Sequence, residues 1–314
     1  MKPVRRILLL TGLLLVLALA VVYHVRGLEV TELDDAARAG ASGDIVTLTD
    51  GVTHYQVAGP DSGPGVVLIH GFSVPYYIWD GPFEVLAAAG FRVLRYDEYG
   101  RGLSDRPDLV YDSALYDRQL LELLDTLGFN APVAVAGVSM GGAVAMAFAA
   151  RHPERVSRLV LVDPMYQAVE PPATPEVLTR LWMRLVTAHG LAEGQRSDFV
   201  HPERFPDWAD RYREQMRYRG FQRALVSTRH HFFPEDHLAD YRRVGELGKP
   251  VLLIWGREDQ TIPFAASETV RGTLDTEFLA VDDAGHLPYL ERPEVVNPRI
   301  VEFLERDVAP PETG

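Results

Sequence analysis

Five runs rich in Val, Leu and Ile, separated by longer amphipathic segments, constrain the fold of this chain more than any other feature. The runs are GVVLI, FRVLRY, APVAVAG, RLVLV and PVLLIWG, and segments such as SALYDRQLLELLDTLG between them have the period of an α-helix. Strands without polar alternation are buried on both faces, which is typical of a parallel sheet covered by helices. The sequence therefore predicts an α/β fold with a mostly parallel sheet. IVTLTD and VTHYQVAG predict an opening hairpin.

The alternation is interrupted between residues 164 and 248, where apolar side chains recur at helical spacing. They are Leu178, Leu181, Trp182, Leu185, Trp208, Tyr212 and Met216. An insertion of this length between two strands predicts a helical cap over the carboxyl edge of the sheet, where α/β folds bind ligands. We therefore expect an α/β core in residues 45–163 and 249–309, and a cap in residues 164–248 whose apolar side chains line a substrate site.

The chain begins with a basic leader and a long apolar run. Lys2, Arg5 and Arg6 precede residues 7–25, whose polar interruptions are one threonine and one histidine. As a helix this run would reach about 28 Å, close to the hydrocarbon thickness of a bilayer. We expect residues 1–26 to form a single-pass membrane anchor with the compact domain outside the cytoplasm, and residues 27–44 to be a tether. Cleavage near Ala20 would instead release a secreted form.

Charge and cysteine content exclude several classes of function. The chain has 31 Lys and Arg against 44 Asp and Glu, a formal net charge of -13 that repels phosphate backbones, so no nucleic-acid partner is expected. The absence of cysteine excludes disulfides, thiolate metal sites and a cysteine nucleophile. His230, His231 and His237 lack carboxylates at ligand spacing, so we expect them to line a pocket or face solvent. No metal or organic cofactor is predicted.

The segment GVSMGG, residues 137–142, joins a predicted strand to a predicted helix. Gly-x-Ser-x-Gly in this position is the sequence form of a nucleophile elbow, a tight turn that exposes a serine hydroxyl. Gly137 and Gly141 flank Ser139 because such a turn leaves no room for side chains two residues before and after the serine. The following helix would offer free N–H groups to a developing negative charge. An ordinary strand-to-helix turn is the alternative interpretation of this motif taken alone.

A serine nucleophile needs a base, and the base needs a group that fixes its tautomer. His286, in DDAGHLPYL, follows the last predicted strand, and Asp259, in WGREDQ, follows the strand before it. The chain order Ser139, Asp259, His286 is the serine, acid, histidine order of α/β folds that use a nucleophile elbow. Asp163, directly after RLVLV, stays open as an alternative acid.

The segment HGFS, residues 70–73, follows the strand GVVLI and predicts an oxyanion hole. We expect the backbone N–H of Phe72 to face that of Met140, which follows the predicted nucleophile, so that both stabilise a tetrahedral oxyanion. His70 is interpreted as a structural histidine that packs this loop.

In this order the motifs resemble the α/β-hydrolase superfamily. HG, DEYGRGLS, GVSMGG, WGRED and GH follow one another, and the resemblance extends over residues 45–307. It implies the α/β-hydrolase fold, the same roles for the triad and the two oxyanion donors, and no cofactor. Glu98 and Tyr99 depart from the residues that many relatives carry there, which affects loop packing and leaves the expected chemistry unchanged.

The residues of the elbow also separate branches of that superfamily. Haloalkane dehalogenases and epoxide hydrolases of similar outline carry aspartate at the position of Ser139, and proline iminopeptidases favour tryptophan at that of Met140. The remaining resemblance implies hydrolysis of carboxylic esters, with apolar acyl or lipid esters as substrates, and is greatest to membrane-bound monoacylglycerol lipases. Two alternatives stay open: hydrolysis of a carbon–carbon bond in ring-cleavage products, with Arg180, Arg184 or Arg223 holding a carboxylate, and a slow-turnover ligand-sensing homologue.

Overall fold

A computed structural model describes residues 2–306, apart from the side chains of several residues between positions 2 and 23. Within those residues, eight strands form a single sheet. They are β1 Asp44–Leu48, β2 Gly51–Ala58, β3 Gly65–Ile69, β4 Arg92–Tyr96, β5 Val133–Val138, β6 Val156–Val162, β7 Val251–Gly256 and β8 Glu277–Val281. The order across the sheet is β1-β2-β4-β3-β5-β6-β7-β8. The pairs β1–β2 and β2–β4 are antiparallel and the others are parallel, which confirms the predicted fold class.

The α-helices of the described residues lie before the first strand, between the strands and after the last strand. They are α1 Lys2–Val25, α2 Asp35–Arg38, α3 Asp80–Ala88, α4 Ser113–Thr126, α5 Met140–Arg151, α6 Glu176–Leu185, α7 Leu191–Gly194, α8 Trp208–Met216, α9 Phe221–His231, α10 His237–Glu246, α11 Ala266–Thr273, α12 Pro288–Glu291 and α13 Pro293–Glu305.

Both faces of the sheet are covered, which explains why the predicted strands are apolar without alternation. Successive side chains of a strand point to opposite faces. In β3, Val67 packs into the cluster that includes α4 and α5, and Val66 packs into the cluster that includes α3 and α13. The side chains of the central strands β5 and β7 are therefore buried on either face, whereas side chains of the edge strand β1 are partly exposed.

The order of the strands creates a crevice at the carboxyl edge of the sheet. The chain leaves β3 toward β4 on one side and leaves β5 toward β6 on the other, although β3 and β5 are neighbours. Loops that diverge from adjacent parallel strands leave a gap between them, and ligands bind there in open α/β sheets. The two loops at this gap carry residues 70–75 and Ser139.

Between β6 and β7 the chain is helical, in α6 to α10, as the sequence predicts. Trp208, Tyr212 and Met216 are buried, but Leu178 and Trp182 are 52% and 62% exposed. The expectation that the apolar side chains of the cap line a substrate site stays a prediction, because Leu178 and Trp182 line a cavity of their own beside α6. Helix α6 packs through Met183 toward Val226 of α9 and turns its other apolar side chains outward. In the predicted division of the chain, residues 307–309 of the second core segment lie outside the described part.

The three cap histidines differ in environment. His230 and His231 are partly buried and lie 3.2 and 3.3 Å from side-chain oxygens of Thr179 and Glu176. His237 is 1% exposed and packs against the Phe232 ring, so the expectation that it lines a pocket or faces solvent is wrong. Burial lowers the pKa of His237 to about 4, which keeps the ring neutral.

The amino-terminal segment forms α1, and its apolar side chains are exposed wherever the structure describes them. Among the residues that the structure describes, no helix meets both the length and the apolarity that a membrane crossing requires. The anchor in residues 1–26 and the location outside the cytoplasm stay predictions from the sequence. The side chain of Ala20, near which cleavage is expected, lies outside the described part.

Candidate active site

The Gly-x-Ser-x-Gly segment forms a strained turn between β5 and α5. Ser139 has φ 56°, a left-handed conformation that costs a residue with a side chain of the order of 1 kcal/mol. A Cβ atom on Gly137 would lie 2.2 Å from the carbonyl oxygen of Gly141. One on Gly141 would lie 2.3 Å from the carbonyl oxygen of His70. Both glycines are therefore required by close backbone approach.

Hydrogen bonds hold the turn in place from both sides. The Ser139 N–H donates to the carbonyl of Val162 at 3.0 Å, and its carbonyl accepts from the N–H groups of Gly142 and Met165 at 3.0 and 2.8 Å. The serine is thereby fixed between the ends of two adjacent strands, β5 and β6.

His286 and Asp259 lie beside each other at the ends of β8 and β7. Nδ1 of His286 donates to Oδ2 of Asp259 at 2.7 Å, and both residues are buried. Oδ1 of Asp259 accepts from the N–H groups of Thr261 and Ile262 at 2.7 and 3.0 Å. The carboxylate is fixed by these bonds, and the proton on Nδ1 leaves Nε2 of His286 free to accept another proton.

The charge state of His286 depends on its burial and on two neighbouring carboxylates. Burial disfavours the imidazolium, but the hydrogen bond to Asp259 and the negative charges of Asp259 and Asp198 outweigh it, so the pKa of His286 is raised above 6.5. The ring therefore accepts a proton more readily than a free histidine does.

Asp163, the alternative acid, lies close to Asp259 and His286 but differs from Asp259 in its hydrogen bonds and in its pKa. Its Oδ1 accepts from the Gly256 N–H at 2.9 Å, and its Oδ2 is buried without a hydrogen-bond partner among the described residues. Burial and the charge of Asp259 raise the pKa of Asp163 well above its usual value, which favours the neutral acid. Asp163 therefore does not supply the negative charge that orients His286.

The same three side chains are close enough to share a metal ion. Ligand atoms of Asp163, Asp259 and His286 lie within 4.8 Å of one another. Nδ1 of His286, both oxygens of Asp259 and Oδ1 of Asp163 already take part in hydrogen bonds. This donor set fits a hydrogen-bonded relay, and we assign no metal to it.

The loop after β3 lies against the elbow, where the sequence predicts an oxyanion hole. A Cβ atom on Gly71 would lie 3.3 Å from Cβ of Ser139. The N–H groups of Phe72 and Met140 have no hydrogen-bond acceptor among the described residues, and Met140 is the first residue of α5. Both amides are therefore available to an anionic oxygen at this place.

His70 fixes the shape of this loop. Its Nδ1 donates to the carbonyl of Gly71 at 2.7 Å, and its Nε2 accepts from the N–H of Glu98 at 2.9 Å. Burial lowers the pKa of His70 to about 4, so the ring stays neutral and keeps this tautomer. Its place is that of a structural histidine.

Arg101 is a residue of this site that sequence reasoning missed. Its buried guanidinium donates to the carbonyl of Phe72 at 2.8 Å, to Oη of Tyr116 at 2.6 Å and to Oγ1 of Thr228 in α9 at 2.9 Å. It therefore connects the loop after β3 to the core and to the cap. The sequence offered one signal for this role, the position of Arg101 between two glycines in DEYGRGLS. A buried Arg needs hydrogen-bond acceptors from several elements.

Three of the sequence-predicted residues line a cavity of about 140 Å³ at the carboxyl edge of the sheet. Ser139 and His286 both line it, with Phe72 on the oxyanion side. No hydrogen bond joins Oγ of Ser139 to Nε2 of His286 among the described residues. The cap contributes Gln195 and Asp198, two polar residues that helical periodicity gave no reason to select.

The three arginines expected to hold a substrate carboxylate lie elsewhere. Arg180 pairs with Glu176 at 2.6 Å, and Arg223 donates to the carboxylate of Asp108. Arg180, Arg184 and Arg223 line a separate cavity beside α6 and α9, so they do not line the cavity of Ser139.

Comparisons with known proteins identify the family and the fold of this chain. Residues 66–299 match the model of the Alpha/beta hydrolase family. The chain is 30% identical over 281 residues to a 2-hydroxy-6-oxononadienedioate/2-hydroxy-6-oxononatrienedioate hydrolase of Cupriavidus pinatubonensis, covering 82% of this chain and 94% of that protein. It is 26% identical, with a TM-score of 0.69, to a thermophilic esterase from Thermogutta terrifontis, covering 84% of this chain and 98% of that structure. The enol-lactonase from Burkholderia xenovorans, at 24% identity, shares the fold with a TM-score of 0.73 and covers 83% of this chain and 99% of that structure.

Proposed function

The chain belongs to the alpha/beta hydrolase family, and we propose that within it the protein is a serine hydrolase that cleaves carboxylic esters through an acyl-enzyme. The observation that carries this proposal is the cavity shared by Ser139 and His286, with His286 held at Nδ1 by Asp259. This arrangement provides a nucleophile, a base and a group that fixes the tautomer of the base.

The steps follow from the positions of these groups. Oγ of Ser139 attacks the acyl carbonyl while Nε2 of His286 takes its proton, and the carboxylate of Asp259 stabilises the imidazolium. The N–H groups of Phe72 and Met140 donate to the oxyanion of the tetrahedral intermediate. His286 then protonates the leaving alcohol. A water molecule, deprotonated by His286, attacks the acyl-enzyme and releases the acid and Ser139.

The size of the cavity supports short acyl groups as substrates. A volume of about 140 Å³ holds a small acyl or alcohol group and is well below that of pockets for drug-sized ligands, at roughly 300 Å³ or more. The apolar side chains of α6 that the sequence associates with lipid acyl chains are exposed and line a different cavity. We therefore propose short esters as substrates in place of the lipid esters expected from the sequence.

Carbon–carbon bond hydrolysis is the second candidate, because the Cupriavidus relative is named for a dienedioate substrate. A dienedioate carries two carboxylates, which bind most favourably beside cationic or donor side chains. The titratable residues that line the cavity with Ser139 are His286 and Asp198, and the carboxylate of Asp198 repels an anionic group. This charge distribution supports ester hydrolysis over cleavage of an anionic ring-cleavage product.

The proposal is tested by a p-nitrophenyl ester series of acetate, butyrate, octanoate and dodecanoate, with a 2-hydroxy-6-oxo-dienedioate as a parallel substrate. We expect kcat/KM to be greatest for acetate or butyrate and to fall with longer chains. Ser139→Ala is expected to lower turnover by at least about 10³-fold without a change in the folded state, since the nucleophile is lost. Faster turnover of the dienedioate than of any ester would reject ester hydrolysis in favour of carbon–carbon cleavage. Turnover of no substrate by a folded protein would favour the ligand-sensing alternative.

A further inference from the structure

Asp198 lies in the cap, between α7 and α8, and its backbone is attached to the loop that carries His286. The N–H of His286 donates to the carbonyl of Asp198 at 2.8 Å. Gly285 passes so close that a Cβ atom on it would lie 2.7 Å from the same carbonyl oxygen. The position of Asp198 relative to the candidate base is therefore set by a main-chain contact.

The buried carboxylate of Glu291 connects the same two segments. Its Oε1 accepts from the N–H groups of Val200 and His201 at 2.8 and 2.9 Å, and its Oε2 accepts from the N–H of Gly285 at 2.7 Å. Three backbone donors on one buried carboxylate hold the cap segment and the histidine loop together. The side chain of Asp198 thus extends from a fixed backbone.

One oxygen of the Asp198 side chain has no protein partner. Oδ1 accepts from Oγ1 of Thr261 at 2.9 Å, and Oδ2 has no donor among the described residues. The side chain lines the cavity that also contains Ser139 and His286. A carboxylate oxygen without a protein donor takes its hydrogen bond from water or from a bound molecule. Oδ2 is therefore suited to accept a hydrogen bond from a substrate.

The chemistry of the surroundings favours a hydroxyl over an ammonium group as that donor. Burial and the negative charge of Asp259 raise the pKa of Asp198, while His286 and Thr261 oppose the shift. An ammonium group beside this carboxylate would place two desolvated charges in the cavity, and that desolvation cost can exceed their attraction. A neutral hydroxyl donates to it without bringing a second charge into the cavity.

We propose that Asp198 is a specificity-determining residue that accepts a hydrogen bond from a hydroxyl group within a few atoms of the scissile carbonyl, so that the site prefers short hydroxylated esters. This inference rests on the proposed ester hydrolysis. The hydroxyl that Asp198 binds can belong to the acyl part or to the alcohol part of the ester.

The test compares four esters that differ in one group each: ethyl butyrate, ethyl 3-hydroxybutyrate, 2-hydroxyethyl butyrate and monoethyl succinate. Hydrolysis by the full chain is measured from the acid that each ester releases. We expect kcat/KM to be at least about tenfold greater for one of the hydroxylated esters than for ethyl butyrate. Monoethyl succinate, which places a carboxylate near Asp198, is expected to be the poorest substrate.

Two variants of Asp198 and one control separate recognition from structure. Asp198→Ala and the isosteric Asp198→Asn are expected to bring the ratio of hydroxylated to plain ester toward one. Gln195→Ala, which changes another cap residue of the same cavity, is expected to keep that ratio. The inference is overturned if both Asp198 variants lower turnover of all esters in parallel, or if Gln195→Ala removes the preference equally.

The two proposals fail in different ways in this experiment. Turnover of ethyl butyrate without any preference for a hydroxylated ester overturns the role of Asp198 and leaves ester hydrolysis standing. The absence of turnover on all four esters, together with none on the p-nitrophenyl series, counts against ester hydrolysis itself.

Discussion

Nδ1 of His286 lies 2.7 Å from Oδ2 of Asp259, and the other oxygen of that carboxylate is held by two backbone N–H groups. Asp163 lies in the same buried group but accepts only from the N–H of Gly256 among the described residues. The two acids therefore differ in their hydrogen bonds and in contact with the histidine, although each follows a strand of the parallel sheet.

Asp259→Asn should lower kcat by about 10⁴-fold, because the amide can donate to Nδ1 and so stabilises the wrong tautomer of His286. Asp163→Asn is the matched control. It replaces an acid that makes no hydrogen bond to His286 among the described residues and whose raised pKa favours the neutral form, so we expect a loss of less than about tenfold. Steady-state kinetics on a p-nitrophenyl ester measure kcat of both variants. A loss in Asp163→Asn as large as that in Asp259→Asn would assign the catalytic acid to Asp163.

The pH dependence of kcat/KM reports the charge on His286. The base acts in its neutral form, and its pKa is raised, so the acid limb of the profile should lie above pH 6.5. Asp198→Asn removes a negative charge that favours the imidazolium, so the pKa of His286 should fall and the limb should move to lower pH. Profiles of both proteins on one ester measure the shift. A limb that stays in place or moves to higher pH would show that the Asp198 charge does not act on the ring.

Gly137→Ala should destabilise the fold by about 3 kcal/mol, because its Cβ would lie 2.2 Å from the carbonyl oxygen of Gly141. Gly272→Ala, within α11, is the matched control. A Cβ there meets no atom within 4 Å, and alanine favours a helix over glycine by up to about 1 kcal/mol. Urea unfolding gives the two free energies of unfolding. Equal effects of the two substitutions would show that the elbow relaxes around the new side chain.

His54 connects Ser42, in the segment before β1, with the loop after β4. Its Nδ1 lies 2.8 Å from Oδ2 of Asp97 and its Nε2 lies 2.9 Å from the carbonyl oxygen of Ser42, so both nitrogens face acceptors and both donate. Burial opposes the charge, but the hydrogen bond and charge of Asp97 outweigh it and raise the pKa of His54 above 6.5.

A group whose pKa is raised on folding stabilises the fold below its unfolded pKa and loses this contribution as pH rises through its folded pKa. The difference in the free energy of unfolding between the natural protein and His54→Gln should therefore be larger near about pH 6 than near about pH 9. Urea unfolding at both values measures it. A difference that grows with pH would show that the ring is neutral in the folded protein.

Much of the fold could be predicted from the chain because its signals are local. Unbroken apolar runs and helical periods specify the strands and helices, and GVSMGG predicts a turn that the backbone contacts of Gly137 and Gly141 explain. The 3₁₀ turn at Tyr76–Trp79 was not predicted, since four residues carry too little periodicity to distinguish it from a loop.

The cap shows the limit of such reasoning. Periodicity correctly indicated that α6 has one apolar face, but the position of that face depends on packing against distant elements. Leu178 and Trp182 are exposed, and Gln195 and Asp198 line the cavity instead. A hydrophobic pattern identifies which side chains share a face and does not identify what that face contacts.

The sequence by itself determined the order of strands and helices, the strained serine turn and the identity of the residues that follow the strand ends. The tertiary structure decided the volume of the cavity, the raised pKa of Asp163 and the place of Asp198 beside His286. The first group depends on interactions between residues close in the chain. The second depends on burial and on contacts between segments far apart in the chain, and these exist only once the cap has packed onto the sheet.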